Sequence, residues 1–272
     1  MLAPTGGGEV LGEWRTGSTN RSVWELAQWN SRHPFTNSLI LREGAWSTSN
    51  KAQWISWQTS PEGTQSVLTL GMDSRELYAG RFRTNANEPW AHLLLQQTIV
   101  AAPPLSQTRQ LRLRVEARLL EAESFREVGY DPRLHAAQFQ IVVTLNNTRR
   151  NSPGFGDYLW FVVPLYDDRY DIPPEYVAPD FAVTHGKLIY NPGGAALGVR
   201  RMTTGEWAKL DCDLRPWLER ALETAWKRGY LRDSTNPSDY SVAHINAGWE
   251  VPGLSRVSMQ LRGLSLTVTY KP

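Results

Sequence analysis

The chain has 272 residues, of which 29 are Lys or Arg and 27 are Asp or Glu, and its only cysteine is Cys212. This near balance of charge argues against a nucleic-acid partner, and a single cysteine excludes an internal disulfide. No apolar run reaches the roughly 20 residues of a membrane span, so no membrane partner is expected. Residues 1–8 lack the basic and apolar regions of a signal peptide, which predicts a cytoplasmic protein or a secreted one whose signal has been removed.

The first 80 residues form a tryptophan-rich segment that we expect to pack on a β-sandwich or to extend it. Half of the 12 tryptophans lie in it: Trp14, Trp24, Trp29, Trp46, Trp54 and Trp57. Residues 53–57 and 66–70 are typical of strands, and residues 60–63 between them are typical of a hairpin loop. Ser22 is a fair N-cap with Glu25 three residues later, so a short helix is predicted over residues 22–30.

Four segments between residues 81 and 206 alternate apolar residues with others, as half-buried strands do. They cover residues 91–99 (with Gln97 as an exception), 111–119, 137–145 and 159–165. A period of two in four segments predicts antiparallel sheets, which tolerate one face in water. The helices that a parallel sheet requires between its strands are missing.

Residues 207–272 combine one helix with the closing strands. Asp213 is a suitable cap and Gly229 a suitable C-terminal end, which predicts a helix over about 213–228. Residues 241–246 and 257–268 are typical of strands, with Gly263 as a β-bulge, and the final strand is expected inside a sheet. The whole pattern predicts one all-β domain over residues 1–272, an antiparallel two-sheet sandwich of jelly-roll type with one α-helix.

The second faces of three predicted strands carry amides and aromatic rings with almost no charge. The candidate ligand-binding residues are His92, Gln96, Gln138, Gln140, Trp160 and, from the loop that follows, Arg169. Amides donate and accept hydrogen bonds together, which suits sugar hydroxyls, and flat rings suit the apolar face of a sugar. In the competing interpretation this face is covered by residues 1–80 and forms a second core.

An acidic run at residues 165–171 follows one of these strands. It contains Asp167, Asp168 and Asp171 around Arg169. Such oxygen ligands suit Ca²⁺, although the spaced acidic loop of an EF-hand is absent; a catalytic cluster, a sugar clamp and a loop network with Arg169 are the alternatives. Apart from Ca²⁺ here, no cofactor or other metal is expected, because nucleotide-binding, zinc and serine-hydrolase motifs are absent.

A catalytic site is the alternative use of the same region. Glu250, with Glu88 or Asp168, would supply the carboxylate pair of a glycoside hydrolase. His185, with Tyr166 or Tyr170, would supply the acid and base of a polysaccharide lyase. A structural ion pair with an interior arginine is the competing interpretation for Glu250, and simple exposure in a loop is the competing interpretation for His185.

Two segments carry a resemblance to a known class of proteins. Residues 240–268, with a Gly-Trp-Glu turn at 248–250 before the final strand, resemble the closing hairpin of bacterial jelly-roll modules that accompany carbohydrate-active enzymes. The strand at 158–166 with its acidic exit is similar to such proteins too. The resemblance implies a glycan site on a concave sheet face or in the rim loops, and it assigns no catalytic residue.

These observations lead to three hypotheses. The first is binding of a polysaccharide or oligosaccharide by a concave, aromatic and amide-lined sheet face. The second is a polysaccharide-cleaving enzyme, a glycoside hydrolase or lyase, that uses acidic, His and Tyr residues in the same cleft. The third is a structural or assembly subunit, for which the same face would be a subunit contact; the oligomeric state stays open.

Overall fold

The computed structural model describes five ranges of the chain: residues 2–4, 24–35, 40–42, 44–59 and 66–272. Trp14 and the predicted hairpin loop at residues 60–63 lie outside the described residues. Within these ranges the chain forms two β-sheets that pack face to face, with few helices.

The described residues form fifteen strands: β1 Leu2–Pro4, β2 Trp24–Ala27, β3 Ile40–Arg42, β4 Ala45–Ser49, β5 Gln53–Thr59, β6 Ser66–Asp73, β7 Ala91–Thr98, β8 Thr108–Ser124, β9 Gln138–Asn147, β10 Tyr158–Asp167, β11 Tyr176–Asp180, β12 Lys187–Asn191, β13 Trp207–Asp213, β14 Tyr240–Val251 and β15 Ser255–Tyr270. The first sheet has the strand order β1-β2-β7-β14-β9-β10-β12-β11, and the second has the order β13-β8-β15-β6-β5-β4-β3. Among these strands only β1 with β2 and β10 with β12 pair in parallel.

The four predicted alternating strands are confirmed as parts of β7, β8, β9 and β10, and their apolar rows face the space between the sheets. Leu93, Phe139, Ile141 and Phe161 are fully buried there, because every second side chain of a strand points to the same face. The strands predicted at 53–57 and 66–70 are confirmed within β5 and β6. The fold is therefore the predicted two-sheet sandwich of jelly-roll type.

The described residues also form three α-helices: α1 Ser74–Tyr78, α2 Gly194–Leu197 and α3 Arg215–Lys227. Helix α3 is the predicted one, and Asp213 lies just before it, where its Oδ1 accepts a hydrogen bond from the backbone N–H of Arg215 at 3.1 Å. Its apolar stripe packs against β8 of the second sheet and β10 of the first. None of the helices in the described ranges has the length and apolar character that crossing a membrane requires.

The helix predicted over residues 22–30 is wrong. Residues 24–27 form strand β2, which pairs with β7 so that Leu26 lies opposite Leu95. Trp24 and Leu26 are buried while Glu25 between them is not, which is the period of a strand. Pairing with β7 and burial of these two side chains outweigh a local capping pattern that would support only a marginal short helix.

The Gly-Trp-Glu segment at 248–250 was expected to be a turn, but it lies inside strand β14. Ile245, Ala247, Trp249 and Val251 all point into the core, so the alternation continues to the end of the strand. The chain turns only after Val251, just before β15 begins.

The final strand β15 behaves as predicted. It lies inside the second sheet, between β8 and β6. Gly263 has a φ of +62° and lies where the register of β15 against β8 shifts, which confirms the bulge. A left-handed backbone conformation of this kind favours glycine.

Two buried side chains connect the sheets by hydrogen bonds. Trp249 of β14 donates from Nε1 to the backbone oxygen of Leu70 on β6 at 2.9 Å. Gln53 of β5 donates from Nε2 to the backbone oxygen of His92 on β7 at 3.1 Å. Both Trp249 and Gln53 are fully buried, so these bonds fix how one sheet lies over the other.

The Trp249 bond yields a stability prediction. W249F removes the inter-sheet hydrogen bond and part of the buried ring, so we expect the free energy of unfolding to fall by about 2 kcal/mol. W46F, at a ring that is 41% exposed, is the matched control and should change it by less than about 0.5 kcal/mol. Urea unfolding followed by circular dichroism measures both, and equal effects of the two substitutions would contradict the assigned role.

Candidate functional site

The face of the first sheet that points away from the core is the candidate site, and we call it the amide face. It consists of the outward side chains of β7, β14, β9 and β10: His92, Leu94, Gln96, Thr98, His244, Asn246, Gly248, Glu250, Gln138, Gln140, Val142, Thr144, Asn146, Tyr158, Trp160, Val162 and Pro164. Five of the six predicted ligand-binding residues lie on it. The sixth, Arg169, lies beyond the end of β10 and forms an ion pair with Asp167 at 2.6 Å.

Strand β14 supplies the part of this face that the sequence did not reveal. Asn246 lies opposite Gln96 on one side and Val142 on the other, and Gly248 lies opposite Gln140. A side chain at Gly248 would approach the backbone oxygen of Leu93 to 2.2 Å, so only glycine fits there. The alternation of residues 245–251 was the signal that could have placed these positions.

Three amides of the described face have no protein partner. In the described part of the chain, the side chains of Gln140, Asn146 and Asn246 make no hydrogen bond to another protein group, whereas Gln96 donates to Glu25 at 2.9 Å. Gln140 and Asn246 are partly exposed and lie on neighbouring strands. Each of these free amides brings both donors and an acceptor.

One end of the amide face carries Glu250 between two nitrogen groups. Its Oε2 accepts a hydrogen bond from Trp90 Nε1 at 3.1 Å and lies 3.4 Å from His92 Nε2. The Glu250 side chain is 22% exposed and that of His92 only 6%. A structural contact predicted for Glu250 is thus present, but its partner is a histidine and not an arginine.

The hydrogen bonds of His92 fix its orientation. Its Nδ1 lies 2.9 Å from the backbone oxygen of Trp90, and a carbonyl oxygen can only accept, so Nδ1 carries a hydrogen. His92 Nε2 is therefore the ring nitrogen that faces Glu250. Burial acts to raise the pKa of Glu250, but the hydrogen bond and charge of His92, followed by the Trp90 N–H, outweigh it and hold this pKa below its ordinary value of 4.5.

Part of the N-terminal third covers this end. The Trp29 ring meets the His92 ring edge-on with centroids 5.3 Å apart, and the Trp29 backbone oxygen accepts from the His92 N–H at 3.0 Å. Trp90 lies on the other side of the imidazole at 5.4 Å. The competing interpretation of a covered face therefore holds for His92, while Glu250 next to it keeps an exposed portion.

A cleft of about 570 Å³ lies between residues 80–84 and 128–135. Arg83 at its wall stacks over the Trp90 ring at 5.1 Å and donates to the backbone oxygens of Glu88 and Leu134 at 2.9 and 3.2 Å. His135 is fully buried and bonded at both ring nitrogens. These groups are occupied in holding the loop that carries Trp90 and so position the hydrogen bond to Glu250.

The structure does not bring the four predicted catalytic residues together. Asp168 accepts from the backbone N–H of Ala137, just before the start of β9, at 2.8 Å. The Tyr166 ring turns toward the core, edge-on to Trp249 at 5.9 Å, and burial raises its pKa to about 12. His185 is exposed in the loop between β11 and β12, next to the opposite end of the amide face from Glu250.

The expected Ca²⁺ position gains no support. Asp167 is held by Arg169, Asp168 by the backbone of Ala137, and Asp171 forms an exposed ion pair with an arginine at 3.2 Å. The three carboxylates thus face different partners and do not converge. The described residues contain no group of three or more His, Cys, Asp or Glu side chains that could hold a metal ion.

Comparisons with known proteins give similar structures but no sequence relative. No protein-family model matches the chain, and no curated protein does. Among solved structures, an endoglucanase from Rhodothermus marinus matches with a TM-score of 0.43 and 10% identity, over 84% of this chain and 93% of the other. A family 12 xyloglucanase from Bacillus licheniformis matches with 0.44 and 10%, over 88% and 99%. A xyloglucanase domain of a type three effector from Sinorhizobium fredii, in complex with cellobiose, matches with 0.39 and 10%, over 88% and 100%.

All three matches have a TM-score below 0.5 and 10% identity, so no argument rests on them. No residue role is carried over from them to this chain.

The Glu250 cluster yields a pH prediction. Because the pKa of Glu250 is lower in the folded than in the unfolded state, its stabilising contribution is present above pH 4.5 and is lost as the pH falls through the folded-state value. We expect E250Q to lower the free energy of unfolding by about 1–2 kcal/mol at pH 7 and by much less near pH 3. Urea unfolding at both pH values measures this.

The exposed Glu206 provides the control. E206Q should leave the free energy of unfolding nearly unchanged at either pH. If E250Q were equally destabilising at both pH values, the carboxylate would not be the stabilising species.

Proposed function

We propose that this protein binds a neutral polysaccharide or oligosaccharide on the amide face. The observation that carries the proposal is the set of amides there that have no protein partner in the described ranges, above all Gln140 and Asn246 on neighbouring strands. Without a ligand each of these amides bonds to water. The hydroxyls of a sugar chain can replace that water at both the donor and the acceptor of the amide.

The neutrality of the ligand follows from the charges beside the face. Glu250 is in contact with His92, and Arg169 beyond the end of β10 is paired with Asp167. Glu25 at the far edge accepts a hydrogen bond from the neutral amide of Gln96 and keeps its negative charge. This carboxylate would repel an acidic sugar polymer, so a neutral glycan is favoured.

A binding experiment tests this proposal. Isothermal titration calorimetry with cellotetraose and with a xyloglucan oligosaccharide, the glycan types suggested by the similar structures, should give binding to the wild type. Q140A and N246A should each weaken it by about five- to tenfold, since each removes a hydrogen-bonding group from the ligand. Q58A, at an exposed amide on the outer face of the second sheet, should bind like the wild type.

Two results would contradict the proposal. The first is no binding of either glycan by the wild type. The second is equal weakening by Q58A, Q140A and N246A, which would indicate a general surface effect and no defined face.

Cleavage of the glycan is the second candidate function, and the partly exposed carboxylate of Glu250 beside an imidazole favours it. The usual two-carboxylate chemistry also needs a second carboxyl group at a set distance. Asp167 lies two strands away, about 10 Å by strand spacing, and accepts hydrogen bonds from Gln138 and Arg169 while buried. Glu250 therefore has no free carboxylate partner within the described part of the face, which favours binding over cleavage.

An assay of reducing ends distinguishes the two functions. We expect the wild type to release no new reducing ends from xyloglucan or from soluble cellulose derivatives. Release by the wild type that is abolished in E250Q, with binding of cellotetraose retained, would assign hydrolysis to this face in place of binding alone.

A further inference from the structure

The end of the amide face opposite Glu250 carries three polar atoms that are buried and lack hydrogen-bond partners. They are Thr144 Oγ1, Asn146 Oδ1 and Trp160 Nε1. Thr144 lies directly opposite Trp160 on the paired strands β9 and β10, and Asn146 lies two residues further along β9. Buried polar groups in proteins are nearly always paired, so three unpaired atoms in one cross-strand neighbourhood are unusual.

The three atoms form a complementary set. The indole Nε1 of Trp160 can only donate, the Asn146 oxygen can only accept, and the Thr144 hydroxyl does both. Directly opposed residues of an antiparallel pair have Cβ atoms about 5 Å apart, close enough for one small polyhydroxylated group to contact all three side chains. A pair of adjacent hydroxyls offers the matching acceptor and donors.

The surroundings select an uncharged group. The Tyr158 ring meets the Trp160 ring edge-on at 5.3 Å and provides an apolar wall. Lys187, 5.3 Å above the Tyr158 ring, is paired with Asp157. His244, opposite Thr144 on β14, has its pKa lowered by burial against a smaller opposing effect of a nearby carboxylate, so it is neutral at neutral pH.

We propose that Thr144, Asn146 and Trp160 form a subsite that recognises adjacent hydroxyl groups of one neutral sugar unit. The subsite rests on the glycan-binding function proposed above and defines where a second unit of the chain binds. Thr144 lies four residues along β9 from Gln140, one of the amides of the proposed binding surface, which is about 13 Å at the rise of a strand. The ligand is therefore an extended oligosaccharide and not a single sugar.

Access to the subsite requires a local side-chain movement. Thr144 is buried, whereas Trp160 and Asn146 are partly exposed as residues although the atoms in question are covered. We expect the Trp160 indole to move when a ligand binds, because its N–H is covered in the free protein. Ligand binding should therefore change the tryptophan fluorescence of the wild type, and W160F should lose that change.

Two substitutions test the subsite, with cellotetraose and a xyloglucan oligosaccharide as probes. T144V removes the hydroxyl at nearly constant side-chain shape, and W160F removes the N–H together with part of the ring; each should weaken binding by about fivefold. Without ligand, T144V should raise the Tm by about 2 °C, because a hydroxyl that no group satisfies is replaced by a methyl group. T108V is the matched control: the buried Thr108 hydroxyl donates to the Pro104 backbone oxygen at 3.1 Å, so T108V should lower the Tm and leave binding unchanged.

The outcomes separate the subsite from the function on which it rests. If the wild type binds neither probe, both the glycan-binding function and the subsite are contradicted. If the wild type binds and Q140A weakens binding, but T144V and W160F bind as the wild type does, only the subsite is wrong. If T144V lowers the Tm as T108V does, the hydroxyl is satisfied in the folded protein and the subsite is overturned whatever the binding result.

Discussion

The position of strand β14 in the sandwich is the constraint on which the candidate site depends. On its inner side Trp249 is fully buried and hydrogen bonds across the core to Leu70 of the other sheet. On its outer side the neighbouring residues Gly248 and Glu250 form the centre and one end of the amide face. Because successive side chains of a strand point to opposite faces, the core bond that fixes Trp249 also fixes where Glu250 and Gly248 point.

Two kinds of polar group occupy the outer face, and they differ in how completely the protein satisfies them. At the Glu250 end, His92 and Trp90 donate to one carboxylate, and the Arg83 loop holds Trp90 in place. Toward the opposite end, amides and buried polar atoms lack protein partners in the described ranges. Groups left unsatisfied lower the stability of the free protein, and a ligand that satisfies them recovers that free energy on binding. This contrast is the physical basis for a rigid end and a recognition end on one surface.

Sequence periodicity was sufficient for the strands that build most of the site. In β7, β9 and β10 each apolar residue of the core row is followed by an outward one, so His92, Gln138 and Trp160 could be placed on outer faces before any coordinates. It failed at β2, where a capping pattern at Ser22 and Glu25 competed with an alternation only four residues long. It also failed at β14, where Gly248 suggested a turn although the strand continues to Val251.

The residues named in the catalytic and Ca²⁺ hypotheses do not converge in the structure, and the reason is different. Asp167 and Asp168 are adjacent in sequence, but one is bound by Arg169 beside the outer face and the other by the backbone at the start of β9. Proximity along a chain does not determine which partners two side chains reach, and neither register nor hydrogen bonding can be read from composition. The same holds for the unpartnered atoms of Thr144 and Trp160, which only the paired strands bring together.

The most direct test of the central claim is to locate the bound glycan by side-chain amide signals in NMR spectra. Titration of the labelled protein with cellotetraose should shift the amide resonances of Gln140, Asn146 and Asn246, together with the indole N–H of Trp160, while that of Gln58 on the other sheet stays in place. Shifts confined to the second sheet, or no shifts at all, would contradict the claim that the amide face is the binding surface.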